Sequence, residues 1–98
     1  MAFVRYTRGA TRDLDAIGDY VARENPHAAR RLLGSMRRKC RMIAETPNIG
    51  RLRDEFGEAI RCVPNGSYLI FYRPTGAGIT IIRILHGARD LGEAFRVE

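Results

Sequence analysis

Apolar and polar positions recur with distinct periods along the chain. Phe3, Arg5 and Thr7 alternate with Val4 and Tyr6, the period-two pattern of a short, half-buried opening strand, and Thr7 is suited to cap a helix beginning at the next residue. From about Arg8 to Glu24, Ala10, Leu14, Ile17 and Val21 recur at helical spacing and fall within about 60° of arc at 100° per residue. That pattern predicts an amphipathic helix. Asp13 and Asp15 lie near its start, where the helix dipole favours acids, and Arg23 lies near its end. Asn25-Pro26 breaks it: the residue before proline is pushed out of helical angles, while Pro26 suits the first position of a new helix. In the second helix, about Pro26 to Thr46, Ala29, Leu32, Leu33, Met36, Cys40, Ile43 and Ala44 cover an arc of about 120°.

Thr46-Pro47-Asn48-Ile49-Gly50 ends this helical hairpin, and the charged stretch Arg51 to Glu58 reads as a loop leading to a strand over Ala59 to Val63. Pro64-Asn65-Gly66-Ser67 places Asn-Gly between two apolar runs, a strong hairpin signal because both residues tolerate positive φ. A strand over Tyr68 to Arg73, a longer turn over Pro74 to Gly78 and a strand over Ile79 to His86 complete a three-stranded antiparallel meander. The order is therefore strand, helix, helix, three strands (β-α-α-β-β-β), an α+β chain. The segment Ala88 to Glu98 fits either a short helix or a strand.

Ninety-eight residues without a linker or low-complexity run predict one compact domain over 1–98. A hydrophobic content of 45% excludes disordered and collagen-like classes. The longest apolar stretch, Ile79 to Leu85, is too short for a bilayer span and contains Arg83. The first residues lack a hydrophobic segment and a small-residue cleavage site, so a cytoplasmic protein is expected. Cys40 and Cys62 fall on apolar faces and read as two buried free thiols.

The formal charge is +6, and all the basic residues except Lys39 are arginine, which favours bidentate contact with carboxylates or phosphates. An acidic partner is therefore expected, either nucleic acid or an acidic protein segment. On the flank of the second helix opposite its apolar arc, Arg30, Arg37 and Arg41 form one stripe and Arg31 and Arg38 a second, with no acid before Glu45. This is either a solvated helix face or a surface for that partner.

Candidate chemistry is sparse. There is no Gly-rich phosphate loop, paired-carboxylate motif or metal-ligand cluster, and no cofactor or metal is expected. His27 reads as a surface residue. His86 stands beside Gly87, Arg89 and Asp90, where its imidazole suits a general base or a hydrogen bond to Asp90. Arg61, Arg73 and Arg83 fall on adjacent predicted strands, with Arg89 just after, so their guanidinium groups are candidates to converge on one side of the sheet. Such a set would bind phosphates or, with His86 as base, support metal-free RNA cleavage. Alternatively, Arg83 pairs internally with Asp90 or with an acid of the first helix.

These residues resemble the ParE branch of the ParE/RelE toxin superfamily of bacterial toxin–antitoxin systems. The resemblance is carried by Ala10, Asp13-Leu14, Ile17, Tyr20-Val21-Ala22, Asn25-Pro26 and Ala28-Ala29, then by Pro47, Gly50-Arg51, Arg53, Arg61, Tyr68, Ile70 and Tyr72. Its most distinctive piece is the run from Ile82 to Asp90. It implies a helical hairpin packed on a small antiparallel sheet, and a ParD-like antitoxin as partner in a hetero-oligomer, with operator DNA contacted only through that antitoxin. No helix-turn-helix pattern argues for direct DNA reading. Acidic antitoxin residues are expected on Arg30, Arg37 and Arg41.

Two activities divide the superfamily. ParE-like members are regarded as poisons of DNA gyrase, and RelE-like members as ribosome-dependent mRNA endonucleases with a basic set in the sheet and a catalytic tyrosine or histidine near the C-terminus. This chain has no tyrosine after Tyr72 and one lysine, Lys39, which departs from the nuclease pattern. Gyrase inhibition without catalysis is expected, with target contacts at Arg61, Arg83, Arg89 and Asp90; a nuclease would use Arg61, Arg83, His86 and Arg89. Deletion after Asp90 is expected to abolish toxicity without unfolding the core. A third alternative is a non-toxic chain that serves as antitoxin-binding co-repressor.

Overall fold

A computed structural model describes residues 2–96. Strand β1 (Phe3–Tyr6) leads into helix α1 (Arg8–Ala22) and helix α2 (Pro26–Glu45), followed by strand β2 (Arg51–Leu52) and a 3₁₀ turn over Asp54–Phe56. Strands β3 (Arg61–Asn65), β4 (Tyr68–Thr75) and β5 (Gly78–His86) come next, then helix α3 (Leu91–Arg96). The helix starts are fixed by side chains: Thr7 Oγ1 accepts from the Ala10 amide, and Asn25 Oδ1 from the Ala28 amide, each at 3.0 Å. Thr7 Oγ1 also donates to the Ile82 carbonyl at 2.7 Å, anchoring the start of α1 to β5.

The sheet has five strands in the order β1-β5-β4-β3-β2. The three-stranded antiparallel meander expected from sequence is present as β3-β4-β5, and three findings alter the picture around it. Strand β1 joins the sheet alongside β5 and runs parallel to it, from Phe3 opposite Gly78 to Tyr6 opposite Ile81, so the sheet is mixed. The charged stretch after Gly50 contains β2, held at the opposite edge by pairing with β3. Both hairpins have two-residue turns, Gly66-Ser67 and Gly76-Ala77, with Asn65, Pro74 and Thr75 inside the ladders. Gly66 alone supplies the positive φ of the first turn, at +61°. The segment after Gly87 resolves into a helix, α3, in its described part; Val97 and Glu98 lie outside the described residues.

A bulge divides β5. Tyr72 opposes Ile81 and Phe71 opposes Arg83, leaving Ile82 as the extra residue. Ile79 and Ile81 before the bulge, and Ile84 after it, thus reach the same face. There they pack with Val63, Ile70 and Tyr72 against Ala10, Leu14, Met36, Cys40, Ile43 and Ala44 of the hairpin. The other face carries Ile60, Cys62, Phe71 and Leu85, covered by Phe56 of the 3₁₀ turn and by Ala94 and Phe95 of α3. Phe95 stacks on Phe56 with ring centroids 4.8 Å apart and meets Phe71 edge-on at 5.1 Å. Both cysteines are buried free thiols. No helix among the described residues is long and apolar enough to cross a membrane.

Candidate functional site

Three elements meet at the bulge. Strand β1 pairs with β5 only as far as Ile81, and α1 takes over the next edge group: Asp13 Oδ2 accepts the Ile84 amide at 2.9 Å. The same carboxylate receives Arg83 in bidentate fashion, Nε to Oδ2 at 2.7 Å and Nη2 to Oδ1 at 2.9 Å. Arg83 Nη1 donates to the Ala94 carbonyl at 2.9 Å, which ties in α3. Both side chains are less than a tenth exposed. Asp13 is therefore the internal partner of Arg83 rather than a residue serving the dipole of α1.

A second polar knot holds the loop after α2. The Tyr72 hydroxyl donates to the Pro47 carbonyl at 2.7 Å and accepts the Gly50 amide at 2.9 Å. Burial pushes this phenol's pKa up, favouring its neutral, hydrogen-bonding form. Gly50 is needed because a Cβ there would lie 2.6 Å from the hydroxyl oxygen. Arg61 Nη1 closes the loop from the other side, donating to the carbonyls of Gly50 at 2.7 Å and Asn48 at 3.2 Å.

The expected convergence of arginines on one side of the sheet is not what the register produces. Arg61 opposes Tyr72 and shares the hairpin face, whereas Arg83 opposes Phe71 and starts from the other. Arg83 is occupied by Asp13 and Ala94, and Arg73 Nε donates to the Glu58 carbonyl at 2.8 Å. Only Arg89 of this set is exposed, in the turn after β5. Asp90 does not bond His86. Its Oδ1 accepts the Glu93 amide at 3.0 Å and so caps α3. Because α3 contributes Ala94 and Phe95 to the core, deletion after Asp90 would uncover the second sheet face, contrary to the expectation of an intact core.

His86 is exposed, and its Nδ1 accepts the Ala88 amide at 3.1 Å. The neutral imidazole consequently carries its proton on Nε2, which makes it a donor there rather than a base. Tyr68 meets its ring edge-on at 5.3 Å. Arg30, Arg37 and Arg41 are all exposed along α2, and Arg30 Nη2 lies 2.7 Å from Nδ1 of the surface residue His27. Beneath this stripe Tyr6 lies beside Cys40; burial and the neighbouring thiol push the Tyr6 phenol up to about 12. Burial likewise pushes the Cys40 thiol up.

A groove of about 410 Å³ opens between α1 and the ends of β4 and β5, with Ile17, Tyr20, Tyr68, Ile84, His86 and Arg89 in its lining. Sequence reasoning singled out the last two and missed the tyrosines. The available signal was Tyr20, a large aromatic off the apolar arc of α1 and 68% exposed.

A helical hairpin on one face of a small mixed sheet, with a short terminal helix on the other, defines the RelE/ParE-like toxin fold. The sequence profile of the ParE toxin of the type II toxin–antitoxin system parDE matches residues 4–91, and the chain belongs to that family. It is 36% identical over 89 residues to "Toxin RelE2" of Caulobacter vibrioides, covering 91% of this chain and 99% of the relative. It is 34% identical over 83 residues to "Toxin ParE1" of the same organism, covering 84% and 85%. "Toxin ParE1" of Mycobacterium tuberculosis is 43% identical over 49 residues, about half of each chain (49% and 50%). A chain of the solved "Chromosomal ParDE TA system from P. aeruginosa" superposes with a TM-score of 0.72 at 27% identity, covering 88% of this chain and 96% of that one.

Proposed function

We propose that this toxin acts without catalysis, by binding DNA gyrase and blocking its strand-passing cycle, and that a ParD-like antitoxin neutralises it in a hetero-oligomer. The dispersal of the basic set carries this reading. Arg61 and Arg83 belong to opposite faces and hold a loop and a buried carboxylate, so they leave no cationic cluster to stabilise a cleaving phosphate. The target contact is assigned to Arg89 in the exposed turn after β5, and the antitoxin contact to Arg30, Arg37 and Arg41. Purified gyrase titrated with this chain should lose supercoiling activity or accumulate cleaved DNA, and added antitoxin should relieve the effect. Unchanged supercoiling and cleavage with folded protein overturns the reading.

A relative named "Toxin RelE2" and the proximity of His86 to Arg89 at one groove favour, as the second reading, ribosome-dependent mRNA cleavage. There His86→Ala would abolish cleavage of ribosome-bound message, whereas in the gyrase reading the variant retains toxicity. A co-repressor without toxicity would leave growth unchanged when the chain is expressed without antitoxin.

A further inference from the structure

The groove beside α1 is built from two kinds of surface. Its walls are apolar: Ile17 and Ile84, with the ring surfaces of Tyr20 and Tyr68. Tyr20, Tyr68, His86 and Arg89 bring polar groups to its lining, and the two phenol hydroxyls, His86 Nε2 and the Arg89 guanidinium have no hydrogen-bond or ion-pair partner among the described residues. The one carboxylate in the lining, Asp13, is already matched by Arg83 and the Ile84 amide.

The protonation of these groups sets the requirements on an occupant. With Nδ1 accepting the Ala88 amide, His86 offers a donor at Nε2, and a guanidinium has donors only. Phenol hydroxyls can donate as well. The polar side of the groove therefore calls for an acceptor, and beside Arg89 an anionic acceptor is favoured. The apolar side calls for a flat body that contacts aromatic rings at face or edge. A volume of about 410 Å³ lies in the range of small-molecule sites, about 300–1,000 Å³.

We propose that this groove binds a small aromatic carboxylate, the ring seated between Ile17, Tyr20, Tyr68 and Ile84 and the carboxylate held by Arg89 and His86 Nε2. The site is distinct from the arginine stripe of α2 and needs no partner chain to be complete. Because Arg89 is also the residue assigned to the target, a bound carboxylate would compete with target contact.

The test is an amide-resolved NMR titration of the full-length chain with indole-3-acetate, run beside indole and acetate as separate probes. Saturable shifts are expected at Ile17, Tyr20, Tyr68, His86 and Arg89, with indole-3-acetate binding about ten-fold tighter than indole, the gain expected of one charge-assisted contact. Arg89→Gln should erase that ten-fold preference while indole still binds, which also shows that the variant is folded. Shifts that do not saturate, shifts centred on α2, or equal affinities for indole and indole-3-acetate overturn the proposal. So does acetate alone reproducing the full response, which would mark a simple anion site. A capped Phe-Glu dipeptide that saturates the groove where indole-3-acetate does not would overturn it in favour of a peptide occupant.

Discussion

Arg83 and the arginines of α2 are the same side chain in two environments. Arg83 sits where β5 bulges, its donors engaged by a carboxylate 70 positions away in sequence and by a carbonyl of α3. Arg30, Arg37 and Arg41 stand in solvent along one flank of α2, on a helix whose packing is made by its other side. The first kind is part of the protein's interior, and removing it leaves a buried charge without its counter-charge. The second kind is available to something outside. A count of basic residues treats both alike, yet only the exposed ones contribute to an interaction surface.

Several substitutions would break or sharpen that contrast. The largest loss of stability is expected for Arg83→Ala, which strands the Asp13 carboxylate in the interior at about 3–5 kcal/mol. Denaturant unfolding would measure it. In the double variant Asp13→Ala/Arg83→Ala the loss should fall well short of the sum of the two single losses, because the second change removes the stranded charge. Additive losses would mean that the two residues do not act as a pair.

Tyr72→Phe comes next. It leaves the Gly50 amide and the Pro47 carbonyl without their hydroxyl partner, a loss of about 1–3 kcal/mol readable as a lowered Tm. Arg61→Ala should cost less, since that guanidinium is only half-buried and its carbonyl acceptors can be reached by water.

The third effect appears in the pH dependence. Tyr6 and Cys40 have folded-state pKa values above their unfolded ones, so the folded state holds their protons more tightly. Their contribution is fully present below pH 9 and declines as pH rises, first through the thiol and then, between about pH 10 and 12, through Tyr6. Tyr6→Phe should flatten the upper part of that decline, and Tm measured from pH 8 to 11.5 would show it. A Tyr6→Phe curve parallel to that of the parent chain would remove Tyr6 as the source.

The smallest stability change is expected for combined Arg30→Glu, Arg37→Glu and Arg41→Glu, within about 0.5 kcal/mol per site because the side chains are exposed. Antitoxin affinity should nevertheless fall, more steeply at low salt than at high, as calorimetry at two ionic strengths would report. Unchanged affinity would place the antitoxin elsewhere and leave the stripe as a solvated helix face.

Much of the fold was legible in the sequence because its signals are local. The four-and-three spacing of Ala10, Leu14 and Ile17, the Asn25-Pro26 break and the Gly66 turn act within a few residues of themselves, and each produced its element in place. The parallel seat of β1 against β5 was not legible, since a period-two run states which face is buried but not which strand lies beside it. Nor was the bulge at Ile82, which sends Arg83 to the face of Phe71 and away from that of Arg61. Of the site, His86 and Arg89 could be found from the sequence as neighbours in one turn. Tyr20 and Tyr68 could not be joined to them, because helix α1 reaches the end of β5 only in the folded chain.

The sequence by itself determined the helical hairpin and the three strands after it, the two buried thiols and the arginine-rich flank of α2, all properties of composition, periodicity and local spacing, and its resemblance to a toxin family pointed to the family whose profile matches. Tertiary structure decided which arginines remain available, which face of the sheet each strand residue meets, and that the end of β5 borders a groove. The reason is that a guanidinium's role depends on the groups around it. Those groups arrive from positions far along the chain, brought together by the burial of apolar faces that carry no information about the polar residues travelling with them.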